Sequence, residues 1–312
     1  MEELNYSYSS TPYDDVHRTL LNDCPKLIIP VVNEIFQRNH RSDEKITLLN
    51  NDFFITGQNG EQKQRITDTN FIIGSVHYHL ECQSSDDGTI VYRIFEYDSQ
   101  IALQSSVISN NKLVVNFPHS AILYLRHNKN TPDHMEIQIQ VPGAACSYWV
   151  PVMKVQRYSI DEIFEKELLF LIPFHIFAYE QEMDMYETDE VKMQEMLNVY
   201  HDITERLNAY VAEQKINEYE KNMLLDMSKK VLEHLAKKHS HVKKKVGVIM
   251  GGQILDYEAK DILNKGRAEG RAEGRAEVMG DIVKKLLQND FSPEQVAGYL
   301  DTTVEDILQY CS

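Results

Sequence analysis

The stretch Arg65–Gln83, RITDTNFIIGSVHYHLECQ, predicts the centre of the fold. Two runs rich in β-branched and aromatic residues flank the dipeptide Gly74-Ser75, which has glycine at the first central position, as a type II′ hairpin turn prefers. The second run alternates strictly, with Val76, Tyr78, Leu80 and Cys82 on one face and polar residues on the other. The sequence therefore predicts an antiparallel hairpin in which Ile73 pairs with Val76.

This register places Asp68 opposite Glu81 on the polar face. Opposed side chains in antiparallel strands have Cβ atoms about 4.5–5.5 Å apart, so the two carboxylates would repel each other. A shared proton would relieve the repulsion, as would a hard cation such as Mg²⁺ or Mn²⁺. A solvated face with Arg65 or Arg93 as counter-ion is the third arrangement, and spacing alone favours it. Gln83, two residues beyond Glu81, could hold a water or a phosphate oxygen with its amide.

Two histidines share the polar face of the second strand. His77 and His79 have the i,i+2 spacing with which a strand can present two imidazoles to zinc. Solvated strand histidines are the commoner arrangement, and we expect that one here.

Composition and charge limit the class of protein. The 312 residues are 42% hydrophobic and 26% charged, and the net charge of −16 argues against a non-specific DNA binder held by charge alone, though not against DNA chemistry. No apolar run is long enough to span a bilayer, and the polar, acidic N-terminus resembles neither a signal nor a transit peptide. We therefore expect a cytoplasmic protein with no membrane partner. The four cysteines form no CxxC pair, so reduced structural thiols are expected.

Hydrophobic periodicity predicts the elements around the hairpin. The predicted order is α-β-β-β-α-β-β-β, which favours an α/β (α+β) fold with a mixed sheet flanked by helices. The predicted helices are Tyr13–Phe36, interrupted at Pro25 and Pro30, and a second one from Asp86 or Asp87 to about Ser105. The predicted strands are Lys45–Ile55, Arg65–Ile73, Val76–Gln83, Phe117–Arg126, Met135–Val141 and Tyr148–Gln156.

The second half of the chain predicts a different organisation. After a sheet domain at 1–160 we expect a helical region at 161–250, a charged segment at 251–280 and a small helical tail at 281–312. The charged segment repeats GRAE from Gly266, Gly270 and Gly274. Its glycine and alanine stripes would let a second helix approach closely, which favours a homo-oligomeric contact, but a flexible linker fits equally well. The tail begins a helix at Ser292 and is too acidic to favour DNA reading.

The pattern ITD-(x12)-ECQ, followed by a helix with RIFEYDSQIAL, resembles the PD-(D/E)XK nuclease superfamily. Together with the N-terminal TPYDDVHRTLLND and the GRAEGRAEGRAE repeat, it is similar to the recombination-promoting nuclease (Rpn) family, often labelled putative transposases. The resemblance spans nearly the whole chain. It implies an αβββαβ core and a metal-dependent DNA endonuclease linked to recombination, mobile elements or phage defence.

The resemblance also implies roles for particular residues. Asp68 and Glu81 would bind Mg²⁺, with Mn²⁺ as a substitute and the backbone carbonyl of Cys82 as a further ligand. Gln83 would occupy the position of the superfamily lysine, so that Asp68, Glu81 and Gln83 form the catalytic group. Asp15 on the first helix would support the site, with Asp14 as the second choice.

Two residues of the helix after the motif match its polar face in the family. Arg93 and Tyr97 would support the site or contact phosphate, and helix–sheet packing is the alternative. Glutamine in place of lysine offers a neutral dipole instead of a charge, which is compatible with slow or conditional cleavage. The alternative function is a weak or inactive nuclease-fold protein that serves as an oligomeric interaction module.

Overall fold

The computed structural model describes residues 12–49, 52–56, 62–66, 69–84 and 88–250, together with 292, 293, 295 and 296. For 52–56 and 62–66 it describes the backbone alone. The chain divides into two compact units, Met1–Gly252 and Gln253–Ser312. Asp68 and the GRAE repeats lie outside the described residues, so the predictions that fall on them stay predictions. The helix predicted to start at Asp86 or Asp87 begins instead at Ile90, with Thr89 at its N-cap.

The first unit is a mixed α/β structure, as the sequence predicts. Its described helices are α1 (Pro12–Asp23), α2 (Ile28–Phe36), α3 (Ile90–Gln104), α4 (Ile160–Glu165), α5 (Met183–Thr188), α6 (Glu190–Ala212), α7 (Glu218–Leu235) and α8 (Ser240–Met250). Short 3-10 segments occur at Pro25–Leu27 and Val155–Arg157, and a longer one at Leu169–Glu182. Pro25 breaks the first predicted helix, whereas Pro30 remains inside α2, because the third residue of a helix needs no intrahelical N–H bond.

Six strands form one mixed sheet. The described strands are β1 (Ile46–Leu48), β2 (Asp52–Thr56), β3 (Gln62–Ile66), β4 (Thr69–Ile73), β5 (Val76–Gln83), β6 (Val107–Ser109), β7 (Lys112–Val114), β8 (His119–Tyr124), β9 (His134–Val141) and β10 (Ala144–Lys154). The order in the sheet is β1-β4-β5-β8-β10-β9. β5, β8 and β10 run parallel to one another, whereas β1, β4 and β5 are antiparallel, as are β9 and β10.

The predicted hairpin register is confirmed over the described residues. Ile73 pairs with Val76, and the pairing continues without a slip to Thr69 opposite Leu80. Gly74 has φ +60° whereas Ser75 keeps a negative φ, which is what a type II′ turn requires. The next pair in this register would be Asp68 and Glu81.

Some strand predictions are wrong in detail. The single strands predicted at Lys45–Ile55 and Arg65–Ile73 are each two strands, because β2 and β3 leave the main sheet and pair with each other. A further hairpin, β6–β7, was not predicted. Its turn residues Asn110 and Asn111 both have positive φ, a conformation that asparagine tolerates better than most residues do.

The two faces of the sheet pack against different helices. One face, which includes Tyr78, Leu80 and Cys82, shares a core with α1, α2 and helices as far as Met250. The other face packs beneath α3 through a smaller cluster of Ile90, Ile94, Ile122, Tyr124, Ile137 and Val150. The predicted domain boundary near residue 160 therefore does not divide the core, because the helices after it complete the first face of the sheet.

The described residues near the C-terminus include a helix start. The helix start predicted at Ser292 is present: its Oγ accepts from the backbone N–H of Gln295, whose side chain accepts from the Ser292 N–H in return. Over the described residues we find no helix with the length and apolar character needed to cross a membrane.

We predict that His17 on α1 makes folding stability fall in acid. Its side chain is fully buried against Phe170, and neither ring nitrogen has a hydrogen-bond partner among the described residues. Burial lowers its pKa to about 3. The unfolded chain takes up this proton below about pH 6.5, so this part of the stability is lost between pH 7 and pH 5, by about 2 kcal/mol.

His17→Phe should remove this part of the pH dependence, whatever packing cost the larger ring adds. Chemical denaturation of both proteins at pH 7 and pH 5 measures the difference. The exposed His201→Phe is the control and should leave the pH dependence as in wild type. An equal pH dependence in the His17 variant would show that the imidazole is not held neutral in the fold.

Candidate functional site

The polar face of β5 lies beneath α3. Paired residues of parallel neighbours point to the same side of a sheet, so Ser120 of β8 joins His79 and Ile122 joins Glu81 on this face. His79 is completely buried and Glu81 is 1% exposed. The predicted alternation of β5 is therefore right, but this face is covered by protein instead of solvent.

His79 bridges two buried carboxylates. Its Nδ1 lies 2.8 Å from Oδ1 of Asp98, and its Nε2 lies 3.2 Å from Oε1 of Glu81. Carboxylate oxygens only accept hydrogen bonds, so both ring nitrogens must carry protons to make these two contacts. Burial alone would lower the pKa of His79, but the hydrogen bonds and charges of Asp98 and Glu81 outweigh burial and raise it to about 9.

Asp98 is the anchor of this network. Its Oδ1 also accepts from Ser120 Oγ at 2.5 Å, and its Oδ2 accepts from the Tyr148 hydroxyl at 2.9 Å. Burial and the neighbouring Asp98 charge raise the pKa of Tyr148, so the phenol stays a donor. One helix and three strands thus meet at a single carboxylate.

Gln83 accepts a hydrogen bond from Arg93 of α3. Arg93 Nη2 donates to Gln83 Oε1 at 2.5 Å, which brings a guanidinium to the end of the E-x-Q motif. Tyr97, one turn further along α3, is buried with its ring edge against His79 at a centroid distance of 5.8 Å. The structure thus brings Glu81, Gln83, Arg93 and Tyr97 to one face, while their catalytic or supporting roles stay predictions.

Asp15 lies elsewhere in the described contacts. Its carboxylate is exposed and forms an ion pair with Lys230 of α7, and α1 packs on the sheet face opposite Glu81. Its predicted supporting role stays untested. The other histidine of β5, His77, is half-buried, and its Nε2 donates to the Asn70 side chain at 2.5 Å.

The sequence did not single out Asp98, Ser120 or Tyr148. A signal for Asp98 existed, because it falls on the buried stripe of α3 between Ile94 and Ile101, and a carboxylate there needs a partner. Ser120 and Tyr148 offered no comparable signal.

The oxygen donors of this face suit a hard divalent cation but do not complete its coordination. Glu81 offers a carboxylate, the backbone of Cys82 a carbonyl, and Asp68 would be the second carboxylate. Over the described residues, no group of three histidine, cysteine or acidic side chains is arranged to hold a metal ion.

We predict that Asp98→Asn strongly destabilises the fold. The change removes the negative charge beside a buried, doubly protonated imidazole, and breaking a buried ion pair costs about 3–5 kcal/mol. Denaturant unfolding should show this loss, whereas Asp161→Asn, which breaks an exposed pair with Arg206, should change stability little. Equal, small effects for both variants would mean that Asp98 and His79 do not form a charged pair.

Comparison with known proteins leaves the family open. No family model, no curated protein sequence and no solved structure matches the chain.

Proposed function

We propose that this chain is a metal-dependent nuclease that hydrolyses phosphodiester bonds in DNA, of the Rpn type that its motifs resemble. The observation that carries the proposal is the arrangement on β5: a buried Glu81 and, two residues on, Gln83 held by Arg93. Buried carboxylates beside a polar cluster are costly for stability and are concentrated at functional sites.

The order of elements supports the same proposal. The helical segment α1–α2 is followed by the antiparallel strands β1, β4 and β5, then by α3, and then by β8, which runs parallel to β5. This is the αβββαβ order expected of a PD-(D/E)XK core, with β2–β3 and β6–β7 as insertions. In that arrangement the end of β5 is where the nuclease motif would lie.

The motif residues would hold the metal at one point. Glu81, the carbonyl of Cys82 and Asp68 are the ligands we assign to Mg²⁺ or Mn²⁺. When bound, such an ion supplies Lewis acidity and lowers the pKa of a coordinated water.

Gln83 and Arg93 would act together in place of the superfamily lysine. Because Gln83 accepts from Arg93 through Oε1, the donor end of its amide is the end it would direct at the attacking water or at a phosphate oxygen. The guanidinium adds the positive charge that glutamine lacks, close to where negative charge develops on the phosphate. Tyr97 and the His79 ring exclude bulk water behind Glu81.

A second function is favoured by one observation. His79 already supplies Glu81 with a positively charged neighbour, so the site can remain folded without a metal. A nuclease fold used as an interaction module, with a homo-oligomeric contact through the C-terminal repeats, fits this equally well. Wild-type protein that binds no divalent metal and nicks no substrate would favour this second function.

We predict that plasmid nicking with Mg²⁺ or Mn²⁺ falls about 100-fold or more in Glu81→Gln, because a metal ligand is lost while the shape of the side chain is kept. Arg93→Met should reduce nicking by about 100-fold, the usual effect of losing one donor to transition-state charge. The measurement is the rate of conversion of supercoiled to relaxed plasmid.

Glu136→Gln and Arg41→Met are the matched controls. Glu136 is an exposed carboxylate on β9 of the same sheet, and Arg41 is an exposed cation in the loop before β1. Both should cut at the wild-type rate. Nicking that is equal in wild type, Glu81→Gln and Arg93→Met would rule out this site as its source.

A further inference from the structure

A continuous chain of hydrogen bonds leads from β10 to Glu81. It begins at the Tyr148 hydroxyl, passes through the Asp98 carboxylate of α3 and the His79 ring of β5, and ends at Oε1 of Glu81. Ser120 of β8 joins it at Asp98. Tyr148 lies 67 residues from Glu81 in the sequence, so this connection exists only in the folded chain.

The direction of each bond limits the freedom of the next group. Two hydroxyl donors and one ring N–H occupy both oxygens of Asp98, which fixes the plane of that carboxylate. Asp98 then fixes the His79 ring through Nδ1, and the opposite nitrogen Nε2 can point only along the line to Glu81. Packing of Tyr97 edge-on against the ring adds a steric limit to its rotation.

Stability alone is a poor reason for such a network. Well-packed apolar residues of similar volume are often as stabilising as a buried ionic network, or more so. Metal sites, by contrast, commonly contain partners behind the ligands, and loss of such a partner lowers metal affinity by about 10–100-fold.

We propose that Tyr148, Ser120 and Asp98 are positioning residues that act through His79 to hold the Glu81 carboxylate in the orientation that takes a divalent cation. The inference rests on the proposed function, since it names the support behind the ligand assigned there. Tyr148 acts on Glu81 through two intermediate side chains, Asp98 and His79.

The test compares the Mn²⁺ affinity of two tyrosine variants. The full-length protein is titrated with Mn²⁺ and the dissociation constant is measured by calorimetry. Tyr148→Phe removes the hydroxyl that anchors Asp98 and keeps the ring, which packs against Phe117. We expect its dissociation constant for Mn²⁺ to rise about tenfold. Ser120→Ala removes the other hydroxyl that donates to Asp98. This variant should also raise the dissociation constant for Mn²⁺.

Tyr158→Phe is the matched control. Its hydroxyl also donates to a carboxylate, Glu34, at 3.2 Å, and it is buried to a similar degree, but this contact leads to α2. The variant should bind Mn²⁺ as wild type does, even if its stability falls. A second readout needs no metal: the ring N–H proton resonances of His79 should shift in Tyr148→Phe and stay unchanged in Tyr158→Phe.

The outcomes separate this inference from the proposed function. If wild type binds Mn²⁺ and both Tyr148→Phe and Ser120→Ala bind it equally well, the positioning role is overturned and the metal site stands. If wild type binds no Mn²⁺, the proposed metal-dependent function fails, and the cation assigned to Glu81 fails with it.

Discussion

The contact of His79 with two buried carboxylates is the interaction on which the candidate site depends. Buried carboxyl groups are costly without polar partners, and the imidazole meets both Asp98 and Glu81 from its two nitrogens. Because His79 lies on β5 and Asp98 on α3, the same contact fixes how the helix lies across the sheet. The hydroxyls of Ser120 and Tyr148 then tie β8 and β10 to that arrangement.

This contact changes the electrostatic problem that the sequence poses. A carboxylate pair facing across the hairpin required a shared proton, a metal ion or a solvent-exposed arginine. Within the described residues a fourth arrangement appears, in which the fully buried His79 contacts Glu81 from the same strand. Arg93, one of the arginines considered for this purpose, donates to Gln83. α3 thus brings a guanidinium to Gln83.

Local sequence predicted the hairpin and could not predict the network. Gly74 fixes the turn and strict alternation fixes the faces of β5, and both are properties of adjacent residues. The bonds from Ser120 and Tyr148 depend on the strand order β5-β8-β10 in the sheet. No short sequence pattern encodes that order. The expectation that His79 is solvated is wrong for the same reason. Whether a strand face is solvated or buried depends on the element that packs across it. The division of two predicted strands into four also followed from pairing partners and not from propensity.

The most direct measurement is of the protonation state of His79, by ¹⁵N NMR of histidine-labelled protein. A His79→Gln variant assigns the ring resonances. We expect that at pH 7.5 both ring nitrogens carry protons and that the ring loses a proton only near pH 9. A ring that is neutral at pH 7.5, with one unprotonated nitrogen, would contradict it, because His79 could not then donate to Asp98 and Glu81 together.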